Sequence, residues 1–230
     1  MRILVIFIVI LLSTGCGSSS IKLDINSEKV QSLYEMATPI EDATILKNLY
    51  ENPNTFENQY ILSISINNYL NEQNEFIESI SKDIVEEYVY KIFGDNISFK
   101  HEKVYVLSGN HCGFDYNENL QQYEFLYGCG GNMNEKFYRK ITSAIEEDDK
   151  IIILEKSLYV YYNFDSEIFH ITIYNNITDK MIIKTYDMNP GESMDINIDD
   201  YLDEASTYQY VFKKFDGRYI FESFNLLDNI

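Results

Sequence analysis

Basic residues are scarce in this chain. Eighteen lysines and arginines face 37 aspartates and glutamates, a formal net charge of −19. Such a surface repels polyphosphate backbones, so nucleic acid is not an expected partner. The charge instead suits solubility or cationic partners. Cysteine and histidine are limited to three each. Neither a C-x-x-C pair nor an H-E-x-x-H stretch occurs, so the common zinc signatures are missing. No G-x-S-x-G nucleophile elbow is present. Tryptophan is absent, only three prolines break the chain, and no internal repeat is evident. The first apolar run, Ile3 to Leu12, has ten residues, whereas a helix crossing a bilayer needs about 20. What the chain does have is ordinary apolar content and many rings, with 20 tyrosines and 14 phenylalanines. It should therefore fold around an aromatic-rich core.

The N-terminus fixes an expected compartment. One positive charge at Arg2, the short apolar run, and small residues up to Cys16 read as a secretory signal. Ser13-Thr14-Gly15-Cys16 resembles the lipobox of bacterial prolipoproteins. That resemblance implies cleavage after Gly15 and diacylglycerol on Cys16. The expected location is the extracellular face of a bacterial membrane, held through lipid at Cys16. Gly17 to Ser20 suits a flexible tether. Cleavage would leave 215 residues and, with Arg2 gone, a net charge of −20. The expected organisation is a signal over 1–15, a tether over 16–25, a helical segment over 26–95 and a β-rich domain over 96–230.

The helical segment carries clear start and stop signals. Ser27 can cap a helix to about Ala37, with Val30, Leu33, Tyr34 and Ala37 on one stripe, stopped at Thr38-Pro39. A shorter turn is expected around Ala43 to Tyr50. Asn54 or Thr55 is the expected cap of a third helix through Tyr69. Ser81 and Asp83 begin a fourth, and Gly94 ends it. From about Ile97 the hydrophobic period becomes two. Hairpins are expected for 136–145 with 151–162, for 167–174 with 180–186, and for 208–215 with 219–224. Asp216-Gly217 suits the tight turn of the last one. Asp199 to Ala205 reads as a single helical turn. The fold class is α+β, with N-terminal helices packed on a curved antiparallel sheet, cystatin-like or NTF2-like by analogy.

The chemistry candidates gather at His111 to Gly131. Outside the cytoplasm, Cys112 and Cys129 form an even pair, and the Asn117-Glu118-Asn119 turn would bring them together in a hairpin. A disulfide there closes a loop worth about 3 kcal/mol on the chain-entropy model. A metal site would need His101 or His170 to join His111 and the cysteines. A cysteine nucleophile with a histidine base is the third reading. The consecutive Ser108-Gly109-Asn110-His111 spells the label of the SGNH hydrolases, but that family draws the four residues from separate blocks. Asp115-x-Asn117-x-Asn119 and Asp195-x-Asn197-x-Asp199 begin like calcium loops and fail at later positions. Ile196 and Ile198 suggest a strand edge, and Glu146 to Asp149 a solvated turn tip. Tyr159, Tyr161 and Tyr162, or Tyr208, Tyr210 and Tyr219, could form a stacking face if exposed.

Phe93-Gly94 at a helix end, the Cys…Cys-Gly-Gly segment and a closing Tyr-x-Phe hairpin give a loose resemblance to lipoproteins of low-GC bacteria. That group implies a class and no mechanism. The expected function is a lipid-anchored envelope protein acting as a non-catalytic binding module for an envelope protein, a peptide or a wall polymer. An extracellular hydrolase assembled only in the fold and a small-ligand carrier are the alternatives. No cofactor and no metal are expected.

Overall fold

The computed structural model describes residues 20–38, 43–73, 75–107, 112–127, 134–165, 168–189, 192 and 194–227. Among these residues the fold is mixed α+β, with four helices and antiparallel sheets. Helix α1 spans Glu28–Ala37; Ser27 Oγ accepts from the Val30 N–H, and Val30, Leu33 and Ala37 are buried. Helix α2 spans Ala43–Glu51. Helix α3 spans Asn58–Asn71, and every residue from Tyr60 to Ile66 is buried. A helix enclosed on all sides is a central element. Its start differs from the expected one. Asn54 takes φ 77 in the preceding turn and donates its N–H to the Phe224 carbonyl, so Glu57 occupies the cap. Helix α4, Lys82–Phe93, has the expected Ser81 cap and ends at Gly94, with φ 78.

Two strands interrupt the expected order of helices followed by strands. Strand β1, Ser20–Lys22, precedes α1 and pairs with β6, Glu135–Glu147. Residues 20–22 of the expected tether are therefore part of the sheet, and the Leu23 N–H continues the ladder to the Ala144 carbonyl. Strand β2, Ser79–Ser81, lies between α3 and α4 and pairs with β5, Gln122–Leu126. The described residues form two sheets where one was expected. The smaller runs β2-β5-β4-β3, with β3 at Val104–Leu107 and β4 at Cys112–Asn117. The larger has seven strands.

In that larger sheet β7, Lys150–Asp165, has two partners on one side. Its first half pairs with β10, Ser206–Phe215, and its second half with β8, Ile168–Tyr174. Beyond these lie β11, Arg218–Leu227, and β9, Ile182–Met188. Buried Asn175 and Asn176 follow β8 at this fork, holding the turn to β9 and reaching across to β10. Asn175 Oδ1 accepts from the N–H groups of Asn176 and Met181, and Asn176 Nδ2 donates to Ser206 Oγ at 3.0 Å. Buried side-chain amides can hold an irregular backbone only when their own bonds are made.

The main core lies between the helices and one sheet face. A second cluster, including Leu158, Val160, Ile171 and Ile173, lines the opposite face. It is covered by Ile196, Ile198, Tyr201 and Ala205. The strand edge expected at Ile196 and Ile198 is thus corrected. Asn197 Oδ1 accepts from the Asp199 N–H and opens a 3₁₀ turn at Ile198–Tyr201, because a local side-chain bond competes with extended backbone. Among the described residues no helix is long and apolar enough to cross a membrane.

Two glycines should respond differently to alanine. A Cβ at Gly113 would sit 1.8 Å from the Val104 carbonyl oxygen, so Gly113→Ala should cost about 3 kcal/mol or more. Gly217 has φ +80 and open space around its would-be Cβ, so Gly217→Ala should cost about 1 kcal/mol. Urea melts of the two variants test this; equal losses would refute the close approach of β3 and β4.

Candidate functional site

Cys16, His111 and Cys129 lie outside the described residues. Cys112 opens β4 and is 2% exposed. The metal arrangement involving His101 is not assembled. His101 stacks on Tyr116, with centroids 4.8 Å apart, and Tyr116 lies four residues along β4 from Cys112, roughly 13 Å of strand. His170 stands in the other sheet, with Nδ1 2.7 Å from Asp187 Oδ1. Among the described residues no group of three metal-ligating side chains occurs.

Both His101 nitrogens have partners. Nε2 lies 3.1 Å from Glu86 Oε1, and Nδ1 lies 2.9 Å from the Tyr123 hydroxyl. A carboxylate only accepts, so Nε2 carries hydrogen and donates to Glu86. Burial pushes the Tyr123 phenol far above its ordinary value. The triple fastens α4 to β5 and the loop before β3.

The most deeply buried ionisable cluster was not foreseen. Glu155 on β7 is fully buried. Tyr34 from α1 and Tyr50 from α2 donate to its two oxygens. The Tyr210 hydroxyl from β10 lies 3.3 Å from both oxygens and 3.0 Å from the Tyr50 hydroxyl. Arg139 on β6 donates to the Tyr34 hydroxyl at 3.2 Å. Burial pushes the Glu155 carboxyl above its ordinary 4.5, against the pull of Arg139 and the three hydroxyls. Burial and then the Glu155 charge raise all three phenols well above their ordinary value. Tyr208 stands opposite Glu155 in the register, and its buried hydroxyl has no hydrogen-bond partner among the described residues. The alternation Ile151, Ile153, Glu155, Ser157, Tyr159 carried the signal: a glutamate sits on the inward phase of an apolar strand.

The proposed tyrosine face is largely core. Tyr159, Tyr208 and Tyr210 are buried, and Tyr161, Tyr162 and Tyr219 are half-buried. Cross-strand ring packing in a sheet core explains this. The calcium-like stretches have local roles. Asn117 Oδ1 accepts from the Leu120 N–H inside the β4–β5 turn, and Asp199 pairs with Lys140. Glu146 and Glu147, expected at a solvated tip, belong to β6 and pair with β1.

The exposed rings lie elsewhere. Phe76 is 64% exposed and Tyr127 74%. Each stands nearly perpendicular to Phe125, with centroids 5.0 and 5.5 Å away. Phe125 packs in turn on buried Phe114 at 5.4 Å. The Tyr127 hydroxyl donates to Glu78 Oε1 at 3.1 Å, and the Phe125 N–H donates to the Glu78 carbonyl. Two exposed rings are thus held as a ledge at one end of the smaller sheet. Phe76 sits in a polar stretch and Tyr127 at a strand end, so periodicity could not have marked them.

Comparison with known proteins gives no match to a protein-family model, to a curated protein or to a solved structure.

The buried carboxyl predicts a pH dependence. Its folded pKa is raised, so the folded state holds a proton that the unfolded state releases above about pH 4.5. Stability is then fully present below that pH and is lost as pH rises toward the folded pKa. Glu155→Gln should remove this decline, giving a flatter stability profile between pH 4.5 and 8 in urea titrations. Parallel profiles for both proteins would refute the assignment. Tyr208→Phe deletes a buried, unpartnered hydroxyl and should stabilise by about 1 kcal/mol.

Proposed function

We propose that this chain is a lipid-anchored lipoprotein on the extracellular face of a bacterial membrane, and that its folded domain is a non-catalytic binding module. Cys16 carries the lipid, and Cys112 pairs with Cys129 to clasp the smaller sheet. The observation that carries the binding reading is the ledge of Phe76, Phe125 and Tyr127. Exposed aromatic side chains fixed by their neighbours bring large contact area at little conformational cost. A small-ligand carrier would need volume under the larger sheet. There Tyr50 already packs within 4.6 to 5.4 Å of Phe137, Tyr208 and Phe224. Helices over a forked antiparallel sheet also agree with the cystatin-like or NTF2-like analogy, which implies no activity.

In the native bacterium, Cys16→Ala should abolish incorporation of labelled palmitate and release the chain from the membrane fraction. Persistent labelling would refute lipidation at Cys16. Chain isolated from the envelope should show no alkylatable thiol at Cys112 or Cys129 until it is reduced; free thiols would refute the clasp. Cross-linking in intact cells should trap a discrete partner that is lost when Phe76 and Tyr127 become serine, with the thermal melt unchanged. A wild-type chain that traps nothing would overturn the binding reading.

A further inference from the structure

We propose that the ledge binds a lysine or arginine side chain presented on an extended peptide segment of a partner protein; this rests on the binding-module reading and names the partner's chemistry. Three observations converge on it. First, the two exposed rings offer faces, and the face of an aromatic ring carries the negative end of its quadrupole. A cation held within about 6 Å of such a face is attracted electrostatically. Second, a carboxylate is built into the ledge. Glu78 Oε1 accepts the Tyr127 hydroxyl at 3.1 Å, and an ionised carboxyl keeps acceptor capacity beyond one bond. Glu78 fixes one edge of the Tyr127 ring and places a negative charge beside it. Exposed Glu75 flanks Phe76 on the same short connection. Third, the chain as a whole carries a net charge of −19, which favours approach of a cation and disfavours an anionic polymer.

The shape selects the kind of cation. Phe76 and Tyr127 are each about two-thirds exposed or more, so the ledge is a shelf and not an enclosed cage. A free amine would make few contacts there, because pockets for small ligands bury most of the ligand surface. A side chain carried on a peptide gains further contact from its backbone and neighbours.

Position argues against a membrane headgroup. Ser20, the first described residue, pairs with Glu147 at the end of β6. The Tyr219 hydroxyl, near the start of β11, donates to Glu146 at 2.7 Å. The C-terminal end of α4 belongs to this same region, since Arg218 Nη2 donates to the Tyr90 carbonyl and Gly94 abuts Ile220. The ledge adjoins the other end of α4, roughly 18 Å along the helix for its twelve residues.

The test uses the intact chain in detergent micelles and short peptides that differ at one central residue: lysine, arginine, norleucine or glutamate. Tyr127 and Phe76 resonances are followed by NMR, and affinity by titration. The lysine and arginine peptides should bind and shift both rings, and the norleucine and glutamate peptides should bind at least roughly tenfold more weakly. Glu78→Gln and Tyr127→Leu should each weaken binding about two- to fivefold, with unchanged thermal melts. Equal binding of norleucine and lysine peptides would overturn the cation inference while leaving a binding ledge in place. Protection of the rings by phosphatidylcholine vesicles, with no response to peptide, would overturn it in favour of a headgroup. Silence to every probe, in a chain that also traps no partner in cells, would overturn both readings.

Discussion

A carboxyl group taken wholly out of water costs several kcal/mol unless hydrogen bonds or a counter-charge offset the loss. Glu155 sits at that extreme, fully buried on the central strand of the larger sheet. Its acceptors are met by hydroxyls from three different elements: α1, α2 and β10. None of these partners lies within 50 residues of it in the chain. The arrangement therefore specifies how the helices sit on the sheet. If α1 shifts, Tyr34 leaves one carboxyl oxygen, and Arg139 loses the hydroxyl to which it donates. If α2 shifts, the other oxygen loses Tyr50. Apolar packing alone tolerates small slides of one layer over another; a buried acceptor with directional donors does not.

The rest of the architecture follows from the length of β7. Sixteen residues extend beyond any one neighbour on the β10 side, so a second strand must take up the ladder. At the join the Ser206 N–H donates to the Asn175 carbonyl and Asn176 Nδ2 donates to Ser206 Oγ, while Asn175 Oδ1 holds the turn from β8 to β9. Past the fork the sheet outruns the helices, and its reverse face would be left bare. The segment carrying Ile196, Ile198, Tyr201 and Ala205 folds back over it and makes the second cluster. One long strand thus accounts for the fork, the buried amides and the separate small core.

Local signals were the legible part of the sequence. Ser27 and Ser81 cap as their surroundings predict, Gly94 ends its helix, and Asp216-Gly217 takes the two positive φ values of a tight hairpin. Each depends only on atoms a few residues apart. The start of α3 was misread because a contact distant in sequence, from Asn54 to Phe224, decided the turn. The two-sheet split and the fork were hidden for the same reason, since a strand pattern does not name its partner. Glu155 lay between these cases. Its inward phase was readable, but its partners were not. The ledge was least legible, because whether Phe76 or Tyr127 is exposed depends on how far the helices cover the smaller sheet.

Net charge and local charge do different work at that ledge. At physiological salt the Debye length is about 8 Å, so most of the chain's acidic residues are screened from a ligand already in contact. They act on the approach, raising the encounter rate of a cationic segment. Once the segment arrives, only charges within a few ångströms discriminate, and Glu78 is the one fixed there by a hydrogen bond to a ring. A surface salt bridge alone is worth about 0–1 kcal/mol, too little to select lysine over norleucine decisively. A cation–π contact alone at an exposed site is of the same size. Combined on one preorganised ring and carboxylate, they give a preference of roughly tenfold without an enclosed pocket. Weak, salt-sensitive recognition of this kind suits a tethered module, since anchoring to one surface already raises the effective concentration of any partner held beside it.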